Sequence, residues 1–331
     1  MKKIIAILIV TMVLVLSLGG CTGDRFEKLP TESTLEGVLE RDGYSMILED
    51  NFDGDAIDSR YWKVGYGDKA RRAAYYTEDS VFVKDGALTI RTNYRKDGVY
   101  GEGWYTGWVE SSSRDGGHGG KPSENYEGIS RTYGYFEVRC KVPATTGIWS
   151  AFWLMPDNGR GAKGMRRDDI IGTGTDGVEI DVMESFYNNY LGHRNGNQHV
   201  IHGDGYGDNA VSIASPKYDL NSSVYDEFHD YGLMWTEDEY IFYVDGRETW
   251  RTRYEIDGEA RGISQVDEYM LLTIEVAGEY DVDDNGNITL YPGKMRENGE
   301  FVNHWAGNPN SNNKSKNYDF VIDRVRVFAR A

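Results

Sequence analysis

Short apolar or alternating runs recur along the chain, each bounded by glycine, asparagine or aspartate, and no long stretch keeps the 3.6-residue period of a helix. Alternation with period two is typical of strands, and the 40 glycines suit frequent turns between them. The predicted strands are Val81–Val83, Ala87–Thr92, Tyr133–Val142, Ser150–Met155, Val178–Met183, Tyr231–Trp235, Tyr240–Val244, Tyr269–Val276 and Phe320–Phe328. The pattern predicts an all-β protein, most simply a sandwich.

The first residues resemble a bacterial lipoprotein signal. Lys2 and Lys3 precede an apolar run that ends in small residues before Cys21, and the run is shorter than the ~20 apolar residues that span a bilayer core. We expect residues 1–20 to be a signal peptide and Cys21 to be lipidated, with ordinary secretion as the alternative. Either signal places the protein outside the cell, and lipidation would hold it on the extracellular face of a bacterial membrane.

The rest of the chain divides into a tether and one domain. Residues 21–43 are polar and without sustained periodicity, which predicts a flexible tether. Residues 44–331 show no repeat or composition break and are predicted to form a single domain. Two insertions, Tyr94–Ser130 and Asn158–Asp176, are too long for tight turns and are expected to be functional loops.

Charge and cysteine usage limit the possible partners. The net charge of −18 disfavours nucleic acid and anionic lipid, so we expect no nucleic-acid partner and membrane contact only through the anchor at Cys21. With Cys21 acylated, Cys140 has no second thiol to pair with, so no disulfide is expected. Cys140 lies in an alternating run and is predicted to be a buried core residue.

The stretch VEIDVMES, from Val178 to Ser185, carries three carboxylates among apolar residues. On a regular strand Glu179 and Asp181 share a face, while Glu184 points to the other face. A β-bulge at Val182 or Met183 would absorb one residue and turn Glu184 to the same face. Without other evidence, three acids on a strand are better explained as a solvated polar face.

The spacing that such a bulge produces has a chemical meaning. The two glutamates would be ~13 Å apart along the backbone, and side chains leaning inward by ~4 Å each would leave about 5 Å between the carboxyl groups. That separation is expected of a retaining glycosidase, because an inverting enzyme needs more room for a water. Mutual repulsion would also raise the pKa of at least one acid, so that one glutamate stays protonated while another is ionised.

Several blocks around this motif resemble glycoside hydrolase family 16, and the resemblance covers roughly residues 45 to 329. The blocks are YGYFEVRCKVP (Tyr133–Pro143), GIWSAFWLMP (Gly147–Pro156), GVEIDVMES (Gly177–Ser185), FHDYGLMWTEDEYIFYVDG (Phe228–Gly246) and FVIDRVRVF (Phe320–Phe328). The resemblance implies a β-jelly roll of two antiparallel sheets, with a substrate cleft across the concave face.

The resemblance also implies roles for the acids. Glu179 corresponds to the nucleophile, Glu184 to the general acid/base and Asp181 to the residue that tunes the nucleophile. The motif with one extra residue, here Met183, is similar to the laminarinase-like and agarase-like branches of the family. No cofactor is expected for catalysis.

Aromatic residues are candidates for substrate binding. Trp149 and Trp153 are four residues apart on a predicted strand and share a face, where indole rings could stack on sugars or simply fill the core. In the family this block borders the cleft. Trp305, in NHWAGNP, resembles the family's Asn-Trp-Pro-Gly segment, although His304 and Ala306 replace two of its residues.

The polar candidates for substrate binding are indicated by the family resemblance more than by any local sequence pattern. Glu137 and Arg139 share a strand face and could form an exposed ion pair, whereas the resemblance places them in the cleft, holding sugar hydroxyls. His202 resembles a histidine that follows the catalytic strand near the leaving-group side, with an ordinary structural histidine as the alternative.

Two parts of the sequence are candidates for metal binding. Asp281, Asp283 and Asn285 with Gly286 resemble the start of a calcium loop, but Pro292 stands where a bidentate Glu is required, so an Asn-Gly turn is preferred. The family resemblance implies a structural calcium held by Asp323 and the carbonyl of Gly86.

The sequence therefore predicts a monomeric, retaining endo-acting hydrolase of neutral β-1,3 or mixed β-1,3/1,4 glucan. Three alternatives stay open: an agarase-like or other β-galactan hydrolase, a non-catalytic glycan-binding surface lipoprotein, and transglycosylation instead of hydrolysis. The acidic net charge makes strongly sulfated polysaccharides less favoured, unless a locally basic groove overrides the global field.

Overall fold

The computed structural model describes residues 27–30, 35, 39, 42–157, 172–186, 196–205, 210–220 and 224–330. Short 3-10 helices lie at Glu78–Ser80 and Pro309–Ser311. The strands are β1 Glu27–Lys28, β2 Tyr44–Asp50, β3 Lys63–Val64, β4 Ala70–Arg71, β5 Ala74–Tyr76, β6 Val81–Lys84, β7 Ala87–Arg95, β8 Gly103–Thr106, β9 Trp108–Glu110, β10 Ser130–Arg131, β11 Gly134–Lys141, β12 Ile148–Pro156, β13 Glu179–Phe186, β14 Gly196–Gly203, β15 Val211–Ala214, β16 Tyr218–Asp219, β17 His229–Trp235, β18 Tyr240–Val244, β19 Arg247–Thr252, β20 Glu255–Ile256, β21 Glu259–Ala260, β22 Glu268–Val276, β23 Gly278–Val282, β24 Ile288–Pro292, β25 Lys294–Glu297, β26 Glu300–Asn303 and β27 Asn317–Arg330.

Two large sheets form the body of the molecule. The first, here called the cleft sheet, has the order β1-β16-β14-β13-β12-β22-β9-β3, with β10 added to β22 and β15 to β14. The second, the outer sheet, has the order β19-β18-β17-β11-β27-β7-β8-β5-β4, with β2 added to β27 and β6 to β7. Pairing is antiparallel except between β1 and β16 and between β5 and β8. Separate small hairpins are formed by β20 with β21, β23 with β24 and β25 with β26.

The core lies between the two sheets because each contributes the apolar half of its alternating residues. Phe152 and Ile274 of the cleft sheet and Val138, Leu233 and Val325 of the outer sheet are fully buried in one cluster. The opposite face of the cleft sheet is thereby left free for polar residues. An all-β two-sheet sandwich is therefore confirmed.

Every strand that the alternation predicts is present, with ends that differ by a few residues. The insertion Tyr94–Ser130 is not a simple loop, because it contains β8 in the outer sheet and β9 in the cleft sheet. Of the second insertion, residues 158–171 lie outside the described residues. Cys140 is a free, buried cysteine, as expected.

The prediction of a flexible tether over residues 21–43 is wrong for the part of it that the structure describes. Glu27 and Lys28 pair in parallel with Tyr218 and Asp219, and Leu29 is only 4% exposed in the main core. Leu35 and Leu39 pack against a second small core cluster. A single buried leucine and one two-residue pairing produce no periodicity, so the sequence carried no signal for this attachment.

The predicted signal peptide, with Cys21, lies outside the described residues. Within the ranges that the structure describes, no helix is long and apolar enough to cross a membrane.

Candidate active site

Strand β13 carries the three acids and contains the predicted bulge. Asp181 pairs with Val200 and Glu184 with Gln198, so three steps along β13 oppose two steps along β14. On the other side Met183 pairs with Phe152 and Asp181 with Trp153, which leaves Val182 as the extra residue. Val182 and Met183 are both fully buried. The bulge therefore turns Glu179, Asp181 and Glu184 to one face, as the sequence predicted.

That face forms the wall of a cleft of about 560 Å³, which the three acids line together with His202. His202 is the cross-strand partner of Glu179. Its Nε2 lies 3.2 Å from Asp181 Oδ2 and 4.0 Å from Glu179 Oε1, while Nδ1 lies 2.5 Å from the hydroxyl of Ser212. His202 is thus positioned by Ser212 against the acids, on the Glu179 and Asp181 side of the site.

Burial governs the protonation of the acids. It raises the pKa of Glu184 to about 8, and the neighbouring charge of Asp181 adds to the effect. Burial likewise raises the pKa of Asp181 to about 8. The pKa of Glu179 is raised well above its usual range by burial and then by Asp181, while His202 acts to lower it. The three carboxyls therefore share protons at neutral pH, and a general acid must hold such a proton in order to donate it.

Tryptophans form much of the remaining wall. Trp149 and Trp153 both line the cleft, although each is about 95% buried, with exposures of 4% and 5%. Trp153 donates a hydrogen bond from Nε1 to Thr273 Oγ1 at 3.0 Å, which fixes its ring. Trp305 is 51% exposed and its ring lies 5.4 Å from that of Trp149. The structure thus brings all three predicted tryptophans to the cleft.

Three charged cleft residues were missed by the sequence analysis. Glu275 on β22 accepts hydrogen bonds from Arg71 Nε at 2.6 Å and from Arg72 Nε at 2.8 Å. All three line the cleft. Glu275 had a signal, since it is a lone charge inside a predicted apolar strand. The two arginines had none, because they lie outside every predicted strand and more than 200 residues from Glu275 in the chain.

The prediction that Glu137 and Arg139 line the cleft is wrong. Both lie on β11, which pairs with β17 and β27 in the outer sheet. Phe136, Val138 and Cys140 alternate with them and face the core, so Glu137 and Arg139 point away from it.

Their partners are charged groups of the outer sheet. Glu137 accepts a hydrogen bond from Arg326 Nε at 2.9 Å. Arg139 donates to Asp230 at 2.9 Å and lies 3.2 Å from Asp323 Oδ2. The two residues were correctly predicted to share a strand face, but the strand belongs to the other sheet.

The proposed calcium residues lie close to each other but in a poor environment for the ion. Ile322 pairs with Leu88, so Asp323 lies near the turn that contains Gly86. However, the Asp323 carboxylate is already paired with the Arg139 guanidinium. One paired carboxylate and one carbonyl are few ligands for an ion that takes six to eight oxygens, so these two groups alone do not fit calcium.

The segment that begins at Asp281 forms a hairpin turn, the interpretation that the sequence favoured over a calcium loop. β23 and β24 pair across it, and Asp283 Oδ1 accepts hydrogen bonds from the amides of Asn285 and Asn287. Gly286 adopts a φ of +80°. In the cleft, Glu179, Asp181 and His202 each place one atom within 4.8 Å of the others, which is close enough to hold a cation.

Comparison with known proteins agrees with this site. Residues 129–290, which include β12, β13, β14 and β22, match the family model described as glycosyl hydrolases family 16. This match supports the family resemblance over just under half of the chain.

Characterised relatives are similar over parts of their length. Glucan endo-1,3-beta-glucosidase A1 of Niallia circulans is 23% identical over 287 residues, which cover 81% of this chain and 38% of that protein. Endo-1,3-1,4-beta-glycanase EglC of Rhizobium meliloti (strain 1021) is 34% identical over 163 residues, 49% of this chain and 28% of that protein. Beta-porphyranase B of Zobellia galactanivorans is 23% identical over 60% of this chain and 64% of that protein. The chain thus spans less than two thirds of the length of each.

Among solved structures, the catalytic domain of an endo-1,3-beta-glucanase (laminarinase) from Thermotoga petrophila RKU-1 superposes with a TM-score of 0.61. It is 21% identical, and the match covers 87% of this chain and 98% of that one. This likeness shows a shared jelly-roll fold.

Proposed function

We propose that this domain is a retaining, endo-acting glycoside hydrolase that cleaves β-1,3 or mixed β-1,3/1,4 glucan backbones. The observation that carries the proposal is the bulged strand β13, which places Glu179, Asp181 and Glu184 on one wall of an aromatic cleft. The names of the Niallia circulans and Rhizobium meliloti relatives support a β-1,3 or mixed-linkage glucan.

In the proposed mechanism Glu179 attacks the anomeric carbon while Glu184 protonates the oxygen of the leaving sugar. Burial raises the pKa of Glu184 to about 8, so this carboxyl holds a proton to donate at neutral pH. Glu184, now ionised, then takes a proton from water, and the water releases the sugar from Glu179. No step needs a cofactor, so chelators are expected to leave the rate unchanged.

Asp181 and His202 would act on the nucleophile. His202 acts to lower the pKa of Glu179, which favours the ionised form that attacks. Asp181 acts in the opposite direction, so whichever of the two carboxyls is ionised keeps the other protonated. When Glu179 is ionised as the nucleophile, Asp181 therefore carries the proton that the two carboxyls share.

A β-galactan hydrolase is the second candidate. The similarity to a beta-porphyranase supports it, and the bulged acidic motif does not separate the two substrate classes. Transglycosylation differs from hydrolysis only in the acceptor that reaches the glycosyl-enzyme.

The deciding experiment is product analysis by mass and linkage after incubation with laminarin, mixed-linkage β-glucan, xyloglucan, agarose and carrageenan. Wild type is compared with Glu179→Gln and Glu184→Gln. We expect oligosaccharides from a β-glucan, with the β-anomer formed first in a proton NMR time course, and a loss of at least about 10³-fold in both variants. Formation of the α-anomer first would overturn the retaining mechanism, and equal rates in all three proteins would overturn the site.

Two further proposals concern the rest of the protein. We propose lipidation at Cys21 and display on the extracellular face of a bacterial membrane, which mass analysis of the mature N-terminus would test. A structural calcium near Asp323 and Gly86 would need ligands beyond these two groups. Titration with Ca²⁺ followed by thermal unfolding would reveal it as a rise in Tm.

A further inference from the structure

The two cleft arginines present nitrogen atoms that the protein does not use. Arg71 and Arg72 each donate one hydrogen bond, from Nε, to a different oxygen of Glu275. Within the described part of the chain their four terminal Nη atoms have no hydrogen-bond partner. Since both side chains line the cleft, these donors face the space in which a substrate would bind.

The orientation of the arginines is built into the fold. The Arg71 guanidinium lies 5.6 Å from the Trp108 ring centroid, and that of Arg72 lies 5.9 Å from the Trp149 ring. Arg72 also holds a backbone φ of +53°, in the left-handed region that a non-glycine residue seldom adopts. Ala73 and Ala74, directly after it, are fully buried and hold the turn in place.

The arginine side of the cleft carries a charge opposite in sign to that of the whole chain. Glu275 is ionised, because burial, which would raise its pKa, is outweighed by Arg71 and Arg72, and the pKa falls to about 2. One carboxylate therefore faces two guanidinium groups, which leaves one positive charge on this part of the wall. The chain as a whole carries −18. Arg71 acts on the pKa of Glu179 and Arg72 on that of Glu184, so the positive wall adjoins the catalytic acids.

We propose that the cleft takes a β-linked polysaccharide that carries an acidic substituent, a carboxylate or a sulfate ester, and that the Nη atoms of Arg71 and Arg72 bind this group. The inference rests on the proposed glycoside hydrolase function and deepens it, because it names the substrate class. Planar guanidinium groups bind carboxylate and sulfate oxygens through paired, charge-assisted hydrogen bonds. It replaces the expectation of a neutral glycan, which followed from net charge alone.

The test uses polymers that share a backbone and differ only in charge. A β-1,3-glucan, a mixed-linkage β-glucan and a β-galactan are each prepared neutral, lightly carboxymethylated and lightly sulfated. We expect wild type to cleave one anionic form with a kcat/KM at least about tenfold above its neutral parent, since a charge-assisted hydrogen bond contributes roughly 1.5–3 kcal/mol. The carboxymethyl and sulfate arms show which anion is preferred.

Variants assign the preference to the arginines. Arg72→Gln is expected to lower kcat/KM on the anionic polymer at least about tenfold more than on its neutral parent. Lys84→Gln makes the same charge change on the outer sheet, where the lysine side chain is 69% exposed, and is expected to keep the preference. Binding is measured separately by affinity electrophoresis with the Glu179→Gln protein and with its Arg72→Gln double variant.

The outcomes separate this inference from the proposed function. Cleavage of the neutral and anionic forms at equal rates, or an equal loss on both in Arg72→Gln, would overturn the anion site while leaving the hydrolase in place. Arg72-dependent retention of an anionic polymer with no cleavage of any polymer would support the site and overturn the hydrolase.

Discussion

Asp181 shows how one buried side chain can set the pH range of its neighbour. Burial is the main cause of the raised pKa of Glu184, and the charge of Asp181 is the next. In the proposed mechanism Glu184 must be protonated when the leaving oxygen departs, so the rate is expected to fall as pH rises through the pKa of Glu184. Any change that lowers this pKa moves the alkaline limb to lower pH.

Asp181→Asn removes that charge while keeping the shape of the side chain. We expect the alkaline limb of the kcat profile to move from near pH 8 toward lower pH, in addition to a drop in kcat. Glu297→Gln, which removes one charge from an exposed position, should leave the limb where it is. An unchanged limb in Asp181→Asn would show that burial alone sets the pKa of Glu184.

Strand β13 illustrates how an irregular element can be read from a sequence and then tested. Asp181 and Glu184 pair with Val200 and Gln198, so deletion of one residue between the two acids would restore plain alternation without changing either pair. The three acids would still share the cleft face. An insertion at the same point, with the existing bulge kept, would instead turn Glu184 toward the core.

Deletion of Met183 is therefore expected to retain measurable activity, within about 100-fold of wild type, although the loss of a fully buried side chain should destabilise the domain by about 2–4 kcal/mol. Insertion of one alanine after Met183 should abolish activity. The measurements are kcat/KM and urea unfolding of both variants. Loss of all activity in the deletion variant, with the fold intact by circular dichroism, would show that the bulge itself shapes the site.

The insertion Tyr94–Ser130 acts as a second element that supports the cleft. Glu110 is fully buried; it lies 3.3 Å from Lys63 Nζ and accepts a hydrogen bond from the His118 amide at 2.9 Å. The His118 ring in turn lies 5.9 Å from that of Trp153 in the cleft wall. This buried ion pair ties the insertion to the cleft wall.

Glu110→Gln should destabilise the domain by about 3–5 kcal/mol at pH 7, because Lys63 would remain buried without its counter-charge. Although burial acts to raise it, the pKa of Glu110 is lowered by His118 and Lys63. Its stabilisation is therefore present above the unfolded pKa of about 4.3 and is lost as pH falls through the folded value. Urea unfolding at pH 7 and in acid should show a gap between variant and wild type that narrows at low pH. Asp115→Asn, at an exposed position of the same insertion, should change stability by less than about 0.5 kcal/mol.

At the scale of the whole molecule, the folded body begins earlier than composition suggests. Leu29 is 4% exposed among residues of both sheets, and β1 extends the cleft sheet at its edge. We expect Leu29→Ala to lower the free energy of unfolding by about 2–4 kcal/mol, as for other core leucines. Urea unfolding of this variant beside Met46→Ala, whose side chain is 50% exposed, provides the comparison. Equal midpoints for the two variants would contradict the attachment of this segment.

Strand positions and shared faces were predictable from the sequence because they depend on alternation within one segment. Short apolar or alternating runs marked β7, β11, β12 and β22, and the failure of the period of two in β13 revealed the bulge. Together with neighbouring blocks, this was enough to predict the all-β fold and the three acids of the cleft.

Only the tertiary structure decided which strands pair and to which sheet each strand belongs. Glu137 and Arg139 share a face as predicted, yet β11 joined the outer sheet and carried them away from the cleft. Arg71 donates a hydrogen bond to Glu275, which lies 204 positions away in the chain, and no local sequence pattern predicts a contact between residues so far apart. The physical reason is that alternation within one segment specifies which residues share a strand face. Packing between strands that are distant in sequence decides which residues that face contacts.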